Sequence, residues 1–532
     1  MRILGLIFVS VLVVAGCSDT SSEGNGDPAA QSVAEEAGEE QGETAALQRS
    51  MDPATVLDTG ADTAGEAAAA VSAALFVSSP SVVVAAADDS ESIASGAEVA
   101  TDAGIPLVLI DSAETPDGGA EGDAAASTSE GPSDVAAAAL AEIDRLEATT
   151  AMAVGTEVEQ TLSSQADIEV VSDASDLPDL DDIDGLSDLV VLVHDDDTSQ
   201  GSASAAAATA TATAAGATVL ALPEPDVRAD PEAIEVLSDM QPASVLAAGS
   251  DFGTVEQLTA RVDVAKTGVQ LPGGGQTVFP GRRLVALYGN TSTPALGVLG
   301  EQDVDASIDR ARDMAEEFDP LSDVQAVPTF EIIVTVAQAS AGADGDYSYE
   351  TPVDEIRPWV EKAGEEGVYV VLDLQPGRAN FLDQAKIYED LLVMPHVGLA
   401  LDPEWRLTPT QRPLQQIGSV EAEEVNSVID WLAELTAREQ LPQKVLVLHQ
   451  FRISMLQDID QIDMTRDEVA VLIHMDGQGG TEAKDSTWQA VVDNAPEGVP
   501  LGWKNFYDED IPMLSPEQTM TREPTPFMIS YQ

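Results

Sequence analysis

The chain has 532 residues, enough for two or three domains, and a net charge of −72 from 95 acidic and 23 basic residues, six of them Lys. Such a surface excludes nucleic acid as a partner, because phosphate binding needs a basic face. Acid spread along the whole length, with so little Lys, points to a protein kept soluble in high salt, where screening makes self-repulsion tolerable.

Residues 1–16 carry an early Arg2 and an apolar run from Ile3 to Val14. The run is too short to span a bilayer and reads as a signal peptide. It ends Val14-Ala15-Gly16-Cys17, and small residues directly before the sole Cys resemble the lipobox of bacterial lipoproteins. That resemblance implies cleavage before Cys17, diacylglycerol on its sulfur, and a lipid anchor on the outer face of the cytoplasmic membrane. With no second Cys there is no intramolecular disulfide and no Cys-based metal site. Residues 17–51 are Ser, Gly, Glu and Ala with almost no large apolar side chain, the composition of a disordered tether.

The next stretch repeats itself. Ser81-VVVAAADD, an Ala-rich helix and Gly104-IPLVLID are echoed by Asp188-LVVLVHDDD, an Ala-rich helix and Gly216-ATVLALP. A helix at 133–146 leads to the strand Thr150-AMAVG, and one from Pro231 to Met240 leads to Ser244-VLAAG. Each unit is strand–helix–strand–helix–strand and should form a small parallel sheet with right-handed crossovers, the first over residues 52–168 and the second over 169–265. The run TGADTAGEAAAAVSAALF (Thr59 to Phe76), the GIPLVLI strand and the AVG and AAG strands resemble the cell-wall-binding repeat type 2 family of Gram-positive surface proteins. The resemblance implies a cell-wall polymer or glycan as partner. The family's Arg in the lead-in segment is missing, and Asp88-Asp89-Ser90 stands where it has Pro-Asp-Ala-Leu. A bilobed solute-binding lipoprotein is the rival reading, since ATDAGIPLVLID also looks like a strand of sugar receptors, but tandem copies in one order lack its hinge crossovers. His194, beside Asp195, Asp196 and Asp197, reads as a solvated loop rather than a cation site.

Every Trp and Tyr lies at or beyond Tyr288, so a differently built half begins after the turn LPGGGQTVFPG near residues 265–282. Its PGGG lacks the Lys and the following helix of a phosphate loop. Over 275–532 the apolar strand candidates are Leu284-VALYG, Phe330-EIIVTV, Val368-YVVLDL, Val397-GLALD, Lys444-VLVLHQ, Val469-AVLIHMD, Pro500-LGWKNF and Phe527-MISYQ. Helical patterns fall at 303–318, 352–365, 380–392, 420–439 and 481–494. The fold class is therefore α/β, two tandem small parallel α/β repeat units followed by a (β/α)8-like barrel. An open doubly wound sheet has the same inventory, and the stretch resembles uncharacterised barrel domains of lipoproteins.

In a barrel the strand ends converge on one mouth, here Tyr288, Gln338, Asp373, Asp402 with Glu404, His449 with Gln450, His474 with Asp476, and Lys504 with Asp508. Two His with Asp373, Asp402 and Asp476 are a conceivable divalent-metal set, but they come from separated strands without a metal signature, and neither metal nor cofactor is expected. Glycoside hydrolysis needs two carboxyl groups across one bond. Asp402-Pro403-Glu404-Trp405 puts two acids and a sugar-stacking aromatic past the fourth strand, where many barrel glycosidases carry their acid/base. Glu404 is the expected proton donor with Asp373 or Asp402 as partner and His449 and Asp508 as further candidates. Tyr288, Trp405, His474, Asp476 and Lys504 are the expected ligand contacts. Glycosidases of this plan end the seventh strand on Glu, and here Lys504 stands near that place. The sequence thus leaves two functions open: a surface-anchored glycan hydrolase, or a non-catalytic cell-wall-binding envelope protein.

Overall fold

The computed structural model describes residues 46–49, 56–57, 61, 63–111, 135–165, 168–180, 184–249 and 251–532. Cys17, the leader and residues 17–45 of the expected tether lie outside the described residues, but the tether ends earlier than its composition suggests, because Gln48–Arg49 is a strand paired antiparallel with Phe76–Ser78. No helix among the described residues is long and apolar enough to cross a membrane.

The two repeats fold as two parallel four-stranded sheets. The first runs in the order Leu107–Ile110, Ser81–Ala86, Thr150–Ala153, Glu169–Val171, and the second Thr218–Leu222, Leu189–His194, Ser244–Ala248, Val56–Leu57. In each, the first strand of the repeat sits between its second and third. The fourth place of the second sheet is taken by Val56–Leu57, which pairs in parallel with Ala247 and Ala248. A segment at the start of the first repeat therefore completes the sheet of the second. The Ala-rich helices Ala64–Leu75 and Ser90–Ala103 both pack on Ser199–Ala214, where short side chains let the axes approach closely. Thr211 on the last of these donates to the Leu107 carbonyl at 3.2 Å and accepts from its N–H at 3.1 Å, which satisfies an edge of the first sheet.

The segment after the repeats is a plug. Gly273, Gly274 and Gly275 have φ of +89°, +86° and +68°, a run of left-handed backbone open to glycine and few other residues. Their turn closes around Arg282, whose guanidinium donates to the carbonyls of Pro272, Gly274, Thr277 and Val278. Leu271 and Val278 thereby enter the base of the barrel, against Leu284, Tyr369, Val371, Ala400, Val445, Val447 and Leu472. Beside the plug, Arg261 grips Asp467 through two bonds of 2.8 and 2.9 Å and Arg228 reaches the Asp467 carbonyl at 3.1 Å, joining the second repeat to the underside of the barrel.

The barrel is closed and its eight ring strands are parallel: β1 (Arg282–Gly289), β2 (Gln325–Ala337), β3 (Tyr369–Leu374), β4 (Val397–Leu401), β5 (Lys444–His449), β6 (Val469–Met475), β7 (Leu501–Asn505) and β8 (Met528–Tyr531), with β1 paired to both β2 and β8. All eight expected strands and the (β/α)8-like architecture are present. Helices Val304–Glu316, Val353–Glu365, Phe381–Ile387 with Glu389–Leu392, Ala422–Arg438 and Thr481–Asn494 follow β1, β2, β3, β4 and β6. Their apolar faces, with Ile308, Ile356, Val360, Leu432 and Trp488, cover the outside of the strands. After β5 the chain makes no α-helix but two short 3-10 turns, Ile453–Met455 and Ile459–Gln461, with the two-residue strand Leu456–Gln457 between them.

Candidate functional site

Strand alternation sets what enters the barrel. Leu284, Ala286 and Tyr288 share one face of β1; Tyr369, Val371 and Asp373 one face of β3; Val445, Val447 and His449 one face of β5; Leu472 and His474 one face of β6. The lower members of these rows form the apolar base. Their upper members, with Glu331 from β2, Lys504 from β7 and Ser530 from β8, make a buried polar layer above it. Asp402 and Asp476 sit one residue past β4 and β6 and continue the same faces.

Contacts across the interior tie this layer together. The Tyr288 hydroxyl donates to Asp373 Oδ2 at 2.9 Å. His449 lies between two carboxylates, with Nε2 2.8 Å from Glu331 Oε1 and Nδ1 3.0 Å from Asp476 Oδ2. His474 Nε2 meets the Ser530 hydroxyl at 2.7 Å. A Cβ at Gly502 would collide with the His474 ring, so glycine is what lets the imidazole lie against β7. The Lys504 ammonium sits 3.3 Å above the centroid of the Tyr288 ring.

Burial and neighbouring charge pull these groups apart in protonation. Burial disfavours charge on His449, but Glu331 and Asp476 outweigh it and hold the imidazole well above its ordinary value. His474 is driven well below it by burial and by the charge on His449. Burial would raise Asp476, but its hydrogen bond to His449 wins and keeps it below the usual carboxylate value. Asp373 is pushed to about 6 by burial, against the pull of His449. Burial, then the charge on Asp476, push Glu404 up to about 7. Asp402 is driven well above the carboxylate range by burial and by Glu404.

Above the layer opens a cavity of about 260 Å³ lined by Tyr288, Asp402, Glu404, Trp405, Asp476 and Lys504, with Phe451 and Phe506 on its walls. Six of the expected site residues therefore share one cavity, and Asp373, His449 and His474 lie buried in the polar layer. Asp402 caps the turn Pro403–Trp405 by accepting from the Glu404 N–H at 3.3 Å, which fixes Glu404 and Trp405 over the opening. Asp508 does not join them. It is exposed, and the buried acid of that loop is Asp510, which binds Lys484 and the Phe506 and Gly479 N–H groups. Nothing in three consecutive loop acids, Asp508, Glu509 and Asp510, tells from sequence which one turns inward.

Glu331 was not among the expected residues because it lies in the middle of the long strand β2 rather than at its tip. The signal was available: it is the one charged residue in Phe330-EIIVTV. His194 stands beside the exposed Asp195, Asp196 and Asp197, as expected of a solvated loop, and pairs there with Asp251 at 2.5 Å. Among the described residues, ligand atoms gathered closely enough for one metal belong to Asp344, Asp346 and Glu350 in the β2 loop, not to the barrel residues. In the barrel both nitrogens of His449 are already bound by carboxylates and His474 Nε2 by Ser530.

What this arrangement can do is deliver and receive a proton across a small cavity. Glu404 is protonated near neutrality, and Asp476 is ionised with Oδ1 lacking any hydrogen-bond partner. No family model matches the sequence, and no curated protein matches it. The solved structure described as PhdJ bound to substrate intermediate is similar at 14% identity over 43% of this chain and 67% of that one, with a TM-score of 0.22, too low to bear on the site.

Proposed function

We propose that the chain is a surface-anchored envelope lipoprotein whose barrel hydrolyses a glycosidic bond, with Glu404 as proton donor and Asp476 as the charged partner. The observation that carries this reading is the split between two carboxyl groups on one cavity, Glu404 held protonated to about 7 and Asp476 held ionised by His449. Inverting and retaining glycosidases both need that division of labour. The partner is thus Asp476 rather than Asp373 or Asp402. Asp373 is bound by Tyr288, and Asp402 is capped against the next turn and held protonated. Trp405, Phe451 and Phe506 supply apolar faces for a sugar ring.

In the first step Glu404 gives its proton to the leaving oxygen while positive charge develops on the sugar. The Asp476 carboxylate, its second oxygen pinned by His449, meets that charge or activates water against it. Product stereochemistry distinguishes these two courses. The sheets at 52–265 are assigned to a wall polymer and Cys17 to the anchor, which keeps the barrel near an envelope glycan.

The test is turnover of cell-wall glycans and aryl glycosides by the full chain. Glu404→Gln and Asp476→Asn should each lower kcat by about 10²–10⁴, and parent activity should fall as pH rises through about 7. Equal turnover in parent and variants removes both residues from the mechanism. No turnover on any glycan shifts the protein to a non-catalytic wall-binding role.

A further inference from the structure

Among the described residues three lysines are buried in the barrel, and two of them spend their donors on protein. Lys444 donates to the carbonyls of Met394 and Pro395, and Lys484 to the Lys504 carbonyl and Asp510. Lys504 is 3% exposed and lines the cavity, yet its ammonium makes no hydrogen bond or ion pair with any described residue. Its close contacts are the face of the Tyr288 ring at 3.3 Å and the Phe506 ring 5.2 Å away, and at longer range it feels the charges of Asp373, Glu404 and Asp476. An ammonium has three N–H donors, and a ring face answers its charge without accepting along all of them. A buried cation with open donors costs free energy unless a partner arrives.

The other titratable groups on the cavity wall indicate the partner. Asp402 and Glu404 are held toward the protonated form, and Tyr288 is neutral. Asp476 is the wall's remaining carboxylate, and it lies beyond ion-pair distance of Lys504, bound instead to His449. The wall therefore presents one ammonium with open donors to whatever fills 260 Å³, a volume suited to a single sugar unit. An anionic group placed there would also disfavour ionisation of Glu404 and so keep the proton donor loaded.

We propose that the cavity takes an acidic sugar unit, such as a uronic acid, whose carboxylate pairs with Lys504. This deepens the glycosidase reading and rests on it for the reaction, but the recognition can be measured separately. The chemistry is charge-assisted hydrogen bonding, so discrimination between a sugar with and without the carboxylate should be about tenfold to a hundredfold.

The experiment compares matched aryl glycosides, glucuronides and galacturonides against glucosides and galactosides in both anomers, and measures binding of free glucuronate and glucose by calorimetry. The parent should favour the acids by at least about tenfold in kcat/KM and bind glucuronate above glucose, and Lys504→Gln should abolish both preferences. Because the preference is read first in the parent, a variant that fails to fold leaves the test intact. If the neutral glycosides are cleaved as well as the acids, the proposal fails while the hydrolase reading stands. If nothing is cleaved but glucuronate binds through Lys504, the hydrolase reading fails and the recognition site survives. Equal binding of glucose and glucuronate by the parent, or no binding of either, overturns the proposal.

Discussion

Replacing Glu404 by Gln should make the protein more stable, and the gain should appear only as pH rises. The carboxyl ionises at 4.5 in the unfolded chain and at about 7 in the fold, chiefly because burial disfavours its charge and next because Asp476 lies near. A folded value raised above the unfolded one contributes stability that is fully present below 4.5 and lost as pH rises through about 7. At about 1.4 kcal/mol per pH unit the full loss is about 3 kcal/mol, and the open cavity screens it to about 2–3. Gln has the same shape, keeps the backbone contacts of the turn, and cannot ionise. At about 2–4 °C per kcal/mol, Glu404→Gln should melt about 5–10 °C above the parent in alkaline buffer and within a degree or two of it near pH 4. The assay is the thermal midpoint of both proteins across that range. A difference that stays flat with pH, or a parent that is the more stable at high pH, refutes the assignment of a proton to Glu404 in the fold.

Three further outcomes follow from other parts of the chain. Glu331→Gln removes one charge of the buried pair with His449 and should cost about 3 kcal/mol, lowering the midpoint by about 6–12 °C, because a buried imidazolium loses one of its two carboxylates. In the same variant the His449 titration should move down, which NMR can follow in a protein with four His; an unmoved titration would mean that Asp476 alone sets it. The midpoint of the parent should rise with added KCl, since the screening length falls from about 30 Å at 0.01 M to about 3 Å at 1 M; a flat or falling response would remove the high-salt reading. Cys17→Ser should send the protein from the membrane to the soluble fraction of its host, and retention on the membrane would rule out the lipid anchor.

The fold was legible because the barrel strands contain apolar runs buried on both faces and the helices between them carry apolar stripes, two of them starting on the capping residues Asp303 and Asn380. The expected helix at 481–494 is the observed Thr481–Asn494, and the residues that enter the site stand at the ends of the runs, Asp373 next to last in β3 and His449 last in β5. Reading only strand tips nevertheless passed over Glu331. Pairing is what reveals it: in β2 it lies beside Tyr288 of β1, whose hydroxyl already reaches the interior. The partner of Glu404 was likewise beyond sequence. Asp373, Asp402 and Asp476 look alike as strand-end acids, and what separates them is the 3.0 Å contact from His449 to Asp476 across two neighbouring strands. The exchanged edge strand Val56–Leu57 was hidden for a similar reason, since two residues carry no period and the pairing spans nearly two hundred positions.

The strongest argument that the barrel mouth works rather than merely closes the fold comes from comparing each strand with itself. Two residues below the polar layer the same strands turn Ala286, Val371, Ala400, Val447, Leu472, Gly502 and Met528 inward, and most of these pack as an ordinary apolar base. One turn of the pleat higher the same faces carry Tyr288, Asp373, Asp402, His449, His474, Lys504 and Ser530. The change is not forced by exposure, because this layer is as buried as the one beneath it. Nor is it balanced internally: Glu331 Oε2, Asp373 Oδ1, Gln450 Oε1, His474 Nδ1 and Asp476 Oδ1 are buried without hydrogen-bond partners, each costing about 1–3 kcal/mol. Aliphatic side chains at these positions would spare that cost, as they do one layer down. Unmet polar groups kept beside and beneath one cavity, above a base so readily filled, are what the proposed ligand role of the barrel mouth accounts for.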